Sequence, residues 1–219
     1  NGLMNVLINE DLYDKEYGMG HGEHLRGSFS LKIPVIMAGP FLNHQQNFEI
    51  RSAIDIAPTL LEIVNIPKPP SFLGQSLLHP NLNKVKSYQE TGIWFDNTSA
   101  AFFQQLRILY PGIMGLSEVD FAINDEIVLK VQKENWVNMA KHRAMIIDHY
   151  KIIYIPLQDR VEFELYDLQK DPEENKNLAS THQALLKYYK EIFYQEILKD
   201  SGVIVKEGWI LPVFDEPIF

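Results

Sequence analysis

The residue pattern predicts a mixed α/β chain in two unequal parts. Residues 1–80 read as an α/β part. Residues 81–219 read as a linker and a small α+β layer, an antiparallel sheet covered by a helix. Three observations predict this. Short apolar runs bounded by glycine and proline flank a helical repeat in the first third of the chain. Three alternating runs with turn residues between them follow from 141 to 168. An amphipathic repeat then runs from 182 to 202.

The chain has 219 residues, is 46% hydrophobic and so has enough apolar material for a real core. Its formal net charge of −9 argues against nucleic acid as the main partner, because phosphate binding needs a basic face. It still allows a local anion site. The absence of cysteine excludes a disulfide scaffold, a thiolate zinc site and a cysteine nucleophile within these residues. No apolar run approaches the ~20 residues that span a bilayer.

Each element has its own signal. "LMNVLI" (3–8) is a short buried strand, and a chain opening inside a strand is expected to be the later part of something longer. The loop 9–32 is rich in Gly, His and charge, and a connection of that length is expected to be functional. Val35-Ile36-Met37, between Pro34 and Gly39-Pro40, reads as a second short buried strand. In "EIRSAIDIAPTLLEIVNI", Ile50, Ala53, Ile54, Ala57, Leu60, Leu61 and Val64 recur at helical spacing. Pro58 belongs in a first turn, which predicts a turn over 51–56 and a helix over 57–65. "NIPKPPSFLGQSLL" is a surface crossing, and the polar "HPNLNKVKSYQETG" is the boundary between two layers. "KHRAMIID" and "HYKIIYIP" are strands joined at Asp148-His149. "VEFELYDL" is a third, with Val161, Phe163 and Leu165 on one face. The closing helix carries Leu185, Tyr188, Tyr189, Ile192 and Ile197 on one side and stops at Gly202.

Several of these segments together resemble the sulfatase family of the alkaline-phosphatase-like superfamily. "HLRGSFSLKIPVIMAGP" is similar to the family's basic–apolar–Pro stretch before a strand. "SAIDIAPTLLEIVNIPKPPSFLGQSLL" is similar to its Asp-x-x-Pro-Thr-Leu-Leu helix and Gly-x-Ser-Leu turn. "KHRAMIIDHYKIIYIP" and "FELYDLQKDPEENKNLA" are similar to its "R…YK" strands and "LYDL…DPxExxN" turn. The likeness covers residues 3–80 and 141–180, and 81–140 match more weakly. It implies the later part of an alkaline-phosphatase-like α/β sheet over 1–80 and a C-terminal antiparallel-sheet subdomain after it. It also implies hydrolysis of sulfate or phosphate esters on a nucleophile and divalent cation (calcium or similar). The nucleophile and most metal ligands belong to an N-terminal half that these residues do not match. That half is an expected partner, beside an anionic ester substrate. The location implied is extracytoplasmic or periplasmic. A non-catalytic sulfatase-like protein binding an anionic ligand or a protein partner is the alternative.

The family's Ser-Asp-His-Gly metal segment falls where this chain reads "INEDLYDKEYGMGHGEH". In one register Asp11 keeps a ligand and Leu12 replaces another. In the other register the ligands are missing between Asn9 and Glu10. A hard cation wants several oxygens, so one carboxylate does not hold it, and this chain alone is expected not to bind one. In "GMGHGEHLRG", His21 or His24 stands where the family places a donor to the ester's anionic oxygens. The residues alone favour a solvated loop with a capping imidazole, and the resemblance brings the two readings level.

Other charges read as structural. Arg26 and Lys32 read as surface cations before cations lending positive field to a cleft, Asp55 as a helix cap before a catalytic acid, and Asp171 as a turn cap with Glu173 and Glu174 filling a first helical turn. Arg143 and Lys151 sit on strands, at a cleft rim or in salt bridges to Asp167 or Glu164. "ETGIWF" (Glu90 to Phe95) is core or substrate-facing.

Overall fold

A computed structural model describes residues 25–27, 32–39, 42, 44, 46–80, 83–90, 117–122, 126–129, 139, 141–156 and 160–213. The fold is a mixed α/β arrangement with antiparallel sheets and few helices among these residues. A 3-10 turn at Ala53–Asp55 leads into α1 (Ile56–Ile63). Then come β1 (Val85–Glu90), β2 (Ser117–Asp120), β3 (Glu126–Leu129), β4 (Arg143–Ile147), β5 (Tyr150–Pro156) and β6 (Val161–Asp167). The chain closes with α2 (Gln183–Ile197), β7 (Val203–Lys206) and β8 (Trp209–Pro212).

The main sheet has the order β1-β4-β5-β6, all neighbours antiparallel. Its centre is the hairpin predicted at Asp148-His149, where Asp148 takes the left-handed φ of 55° that a short polar side chain tolerates. On one face Met145, Ile147, Ile152, Tyr154, Phe163 and Leu165 pack against Tyr189, Phe193 and Ile197 of α2. Phe193 is fully buried, stacked on Tyr154 and edge-on to Phe163. Tyr188, placed on the same side by its spacing, is 46% exposed instead. At that position the helix surface has turned away from the sheet, and the ring meets Lys84.

The other face is covered too. Ala144, Ile153, Ile155 and Tyr166 bury Leu25, which lies far earlier in the chain. Burial on both faces is why β4 is buried at all five residues and alternation in the sequence is only partial.

Several expectations need correction. The polar stretch taken as a boundary contains β1, an edge strand paired to β4. Its half-exposed position lets polar residues serve. No helical turn forms around Glu173 and Glu174, since α2 begins at Gln183. α2 also ends before Gly202, at the C-cap Leu198. Gly202 instead precedes the β7–β8 hairpin, which the sequence reading missed although Glu207-Gly208 marks its turn, with φ of 52° and 87°. The Tyr194 hydroxyl donates to the Gly208 carbonyl at 2.7 Å, and the Tyr154 hydroxyl accepts from the Ile210 N–H at 3.1 Å. Val35-Ile36-Met37 is not a strand and not buried: Ile36 is 91% exposed. No described strand lies beside it to supply the ladder that a short apolar run needs. The expected strand at 3–8 lies outside the described residues, as do 91–95 of "ETGIWF".

Replacing Phe193 with Ala should lower stability by about 3–5 kcal/mol, while Tyr188→Ala should stay within about 1 kcal/mol. Urea unfolding of the two variants checks the order, and equal losses would contradict this packing.

Candidate functional site

Three residues directly after His24 are held by the C-terminal layer. Leu25 is buried in the second face of the sheet. The Arg26 guanidinium donates from Nε to the Glu164 carboxylate at 2.7 Å. The Gly27 N–H donates to the Glu174 carboxylate at 2.9 Å. Gly27 has a φ of 74°, which glycine adopts without a Cβ penalty.

The anchor beneath them is a buried ion pair. Lys151 Nζ donates to both Glu174 carboxylate oxygens, at 2.9 and 2.8 Å, and lies 3.5 Å from the Gly27 carbonyl. Lys151 is 2% and Glu174 3% exposed. Burial pulls the Lys151 ammonium below its usual range, opposed by the Glu174 carboxylate. Glu174 reaches this point because residues 171–178 form a fixed turn. The Asp171 carboxylate accepts from the Lys176 N–H at 2.7 Å, and the Asn177 side-chain carbonyl accepts from the Leu165 and Ala179 N–H groups. Glu174 itself has a φ of 57°, a strained value held by its surroundings.

These geometries correct three readings. Lys151 pairs with Glu174 rather than Asp167 or Glu164. Arg143 lies 3.5 Å from Glu90. Arg26 is no surface cation, for its side chain is 17% exposed and Glu164 faces it. Sequence spacing could not find these partners, because each lies on a different element. The turn-forming Asp171-Pro172 was the one signal that a side chain nearby is fixed in space.

A second polar group borders a cleft of about 650 Å³ between the β1–β4 edge and the β7–β8 hairpin. Here Tyr88 donates to Glu90, and Lys141 Nζ lies 3.0 Å from the same carboxylate. Burial works against ionisation of Glu90, but Tyr88, Lys141 and Arg143 outweigh it and hold the carboxyl below its usual range. Burial and the Glu90 partner push the Tyr88 hydroxyl up.

A third group joins α1 to the Gly74–Leu77 turn. The Asp55 carboxylate accepts from the Ser52 N–H at 3.1 Å and from the Gln75 N–H at 2.8 Å. It thus serves as the capping-box carboxylate of the 3-10 turn that opens α1, in keeping with the cap reading, and also ties that turn to Gln75. The Thr59 hydroxyl accepts from the Leu77 N–H at 2.8 Å and donates to the Asp55 carbonyl at 2.6 Å. A Cβ at Gly74 would come within 2.1 Å of the Ile54 carbonyl oxygen, so only glycine permits this approach.

His21, His24 and Asp11 lie outside the described residues. Among the described residues no three His, Asp or Glu side chains gather to hold a metal ion, so none of them fits the divalent cation that the resemblance implies. Among them, too, no helix is long and apolar enough to cross a membrane.

The joints match the likeness seen in the sequence: Asp55, Thr59 and Gly74 in one pair of motifs, Lys151, Glu174 and Asn177 in the other. A Caenorhabditis elegans homologue of the extracellular sulfatase Sulf-1 is 38% identical over 85 residues, 37% of this chain. Over those residues the chain is similar to a sulfatase. An uncharacterised sulfatase of Schizosaccharomyces pombe is 26% identical over 140 residues, 63% of this chain. The chain spans 12% of the first relative's length and 19% of the second's. A solved phosphonate monoester hydrolase of Agrobacterium radiobacter has a TM-score of 0.39 and 18% identity, covering 75% of this chain and 29% of that one. No family model matches the chain.

Replacing Glu174 with Gln should cost about 3–5 kcal/mol at pH 7, because it leaves the Lys151 charge buried and unpaired. The sign with pH follows from linkage. A lysine whose folded pKa lies below its unfolded value makes stability rise with pH between the two. Losing its carboxylate lowers the folded pKa of Lys151 further, so the deficit of the variant should shrink from pH 7 to pH 9.5. Urea unfolding at both values tests this, and an unchanged deficit would refute it. Gly74→Ala should speed amide exchange at Gln75 and Leu77, read residue by residue by NMR, and unchanged rates would contradict the close approach.

Proposed function

We propose that this chain is the C-terminal portion of a sulfatase-like hydrolase of sulfate or phosphate esters. The observation that carries the reading is the 38% identity to a sulfatase over 85 residues. The way the motif residues serve as joints between segments supports it. An ester linked to sulfate or phosphate presents a tetrahedral oxyanion, and donors beside it stabilise the charge that builds as the bond breaks.

In this reading His21 or His24 donates to those oxygens. Support comes from the glycine-rich setting of both histidines and from the anchored residues that follow His24. Asp11 is the one residue proposed as a metal ligand in this chain. The nucleophile and the other ligands come from the part of the relatives that these residues do not span. Residues 1–80 then belong to the catalytic α/β domain, and 81–219 to a linker and the C-terminal subdomain. The extracellular setting named for the worm relative suits an extracytoplasmic place for this protein.

The isolated 219 residues should not turn over an aryl sulfate or an aryl phosphate, and the full-length natural polypeptide should turn over one of them in an EDTA-sensitive way. In that polypeptide His21→Ala or His24→Ala should lower kcat/KM by about 10²–10³, the scale of one lost oxyanion donor. EDTA-sensitive turnover by the isolated chain would sink the shared-site reading. A full-length protein inactive on both esters would sink the hydrolase reading.

A further inference from the structure

We propose that Glu174 is a positioning residue for ester cleavage, acting through the grip of its carboxylate on Gly27. The inference rests on the reading of this chain as part of a sulfatase-like hydrolase in which His21 or His24 donates to the ester oxygens.

The joint is specific in what it holds. Both polar groups of the Gly27 backbone are engaged at one point. Its N–H donates to Glu174 at 2.9 Å, and its carbonyl lies 3.5 Å from Lys151 Nζ. The two residues before it are held by other means. Leu25 is 1% exposed against the sheet, and Arg26 donates to Glu164, whose carboxylate also accepts from the Tyr166 hydroxyl at 3.0 Å. Three consecutive residues are thus fixed by contacts from β5, β6 and the 171–178 turn.

An apolar pair of similar volume often stabilises a fold as well as a buried ion pair does. What an apolar pair lacks is an acceptor for the Gly27 N–H. Gly27, with its φ of 74°, has no Cβ to restrict its backbone, so the direction of the chain here is set by its partners. That direction bears on the reaction. Charge builds on an ester oxygen as the bond breaks, and a donor stabilises it best when already in place. Consecutive Cα atoms are about 3.8 Å apart, so the placement of Leu25 limits where residue 24 can stand. A displacement of about 1 Å at a reacting group costs on the order of 10²-fold in rate. Glu174 acts at one remove, by fixing the residues that follow His24.

Two double variants of the full-length natural polypeptide separate this role from a structural one. Lys151→Met with Glu174→Gln removes both charges and keeps a side-chain carbonyl for the Gly27 N–H. Lys151→Met with Glu174→Met removes the charges and the acceptor together. Glutamine and methionine are similar in length and meet the same left-handed φ at position 174. Hydrogen exchange at residues 25–27, and kcat and KM for an aryl sulfate and an aryl phosphate, are read where both variants are fully folded. In the Met/Met variant Gly27 should exchange faster, and kcat should fall at least about tenfold with KM little changed, while the Met/Gln variant stays within about threefold of the unaltered protein. Equal kcat in the two variants overturns the proposal and leaves Glu174 a structural role alone. Unchanged Gly27 exchange on loss of the acceptor also overturns it. Should the Met/Met variant not fold, Glu174→Asp carries the test. It keeps a charge beside Lys151 and withdraws the carboxylate by one methylene, so the same fall in kcat is expected, and an unchanged kcat overturns the proposal. An unaltered full-length protein inactive on both esters removes the hydrolase reading and this inference with it. An active one whose variants are equal removes this inference alone.

Discussion

Lys151 and Glu174 sit together at the point where three distant parts of the chain meet. Each alone would be an uncompensated charge in a place closed to water. Together they satisfy one another, and the second Glu174 oxygen also takes the Gly27 N–H. The pair therefore does more than offset its own burial. It fixes the height of the 171–178 turn over the sheet and the path of the chain after His24. The strained φ at Glu174 is tolerable because Asp171 and Asn177 hold the backbone on either side.

The sheet explains why such a joint is needed. An antiparallel sheet with a helix on one face usually leaves the other to water. Here the second face is apolar along Ala144, Ile153 and Ile155, and Leu25 covers it. Arg26–Glu164 and Gly27–Glu174 keep Leu25 in place. Packing and polar contacts thus work on consecutive residues. Residues 25–27, directly after His24, are therefore a rigid point of the chain.

The segment around α1 follows a different logic. Its inward contacts are polar and specific: Asp55 to Gln75, Thr59 to Leu77, and glycine at 74 where nothing larger fits. These hold the helix and its following turn in a fixed relation without an apolar core of their own. Its apolar side chains do not contribute to the hydrophobic clusters of the C-terminal layer. Among the described residues, the segment from Ser52 to Leu77 is held by these hydrogen bonds, whereas the face of the sheet under α2 is held by close packing.

The sequence by itself determined the local elements with strong periodicity. The hairpin at Asp148-His149, the strand at 161–167 and the helix over 183–197 were legible because alternation and the 3.6-residue repeat are written into neighbouring residues. Pro58 likewise marked the start of α1. For the candidate site, motif order alone pointed to the histidines, and His21, His24 and Asp11 lie outside the described residues. Only the tertiary structure decided which charges meet. Lys151 is 23 residues from Glu174, and Arg26 is 138 from Glu164. It also decided that β1 would form in a polar stretch and that Val35–Met37 would not become a strand. The reason is the same in each case: pairing and burial depend on what arrives from elsewhere in the chain, and no local pattern carries that information.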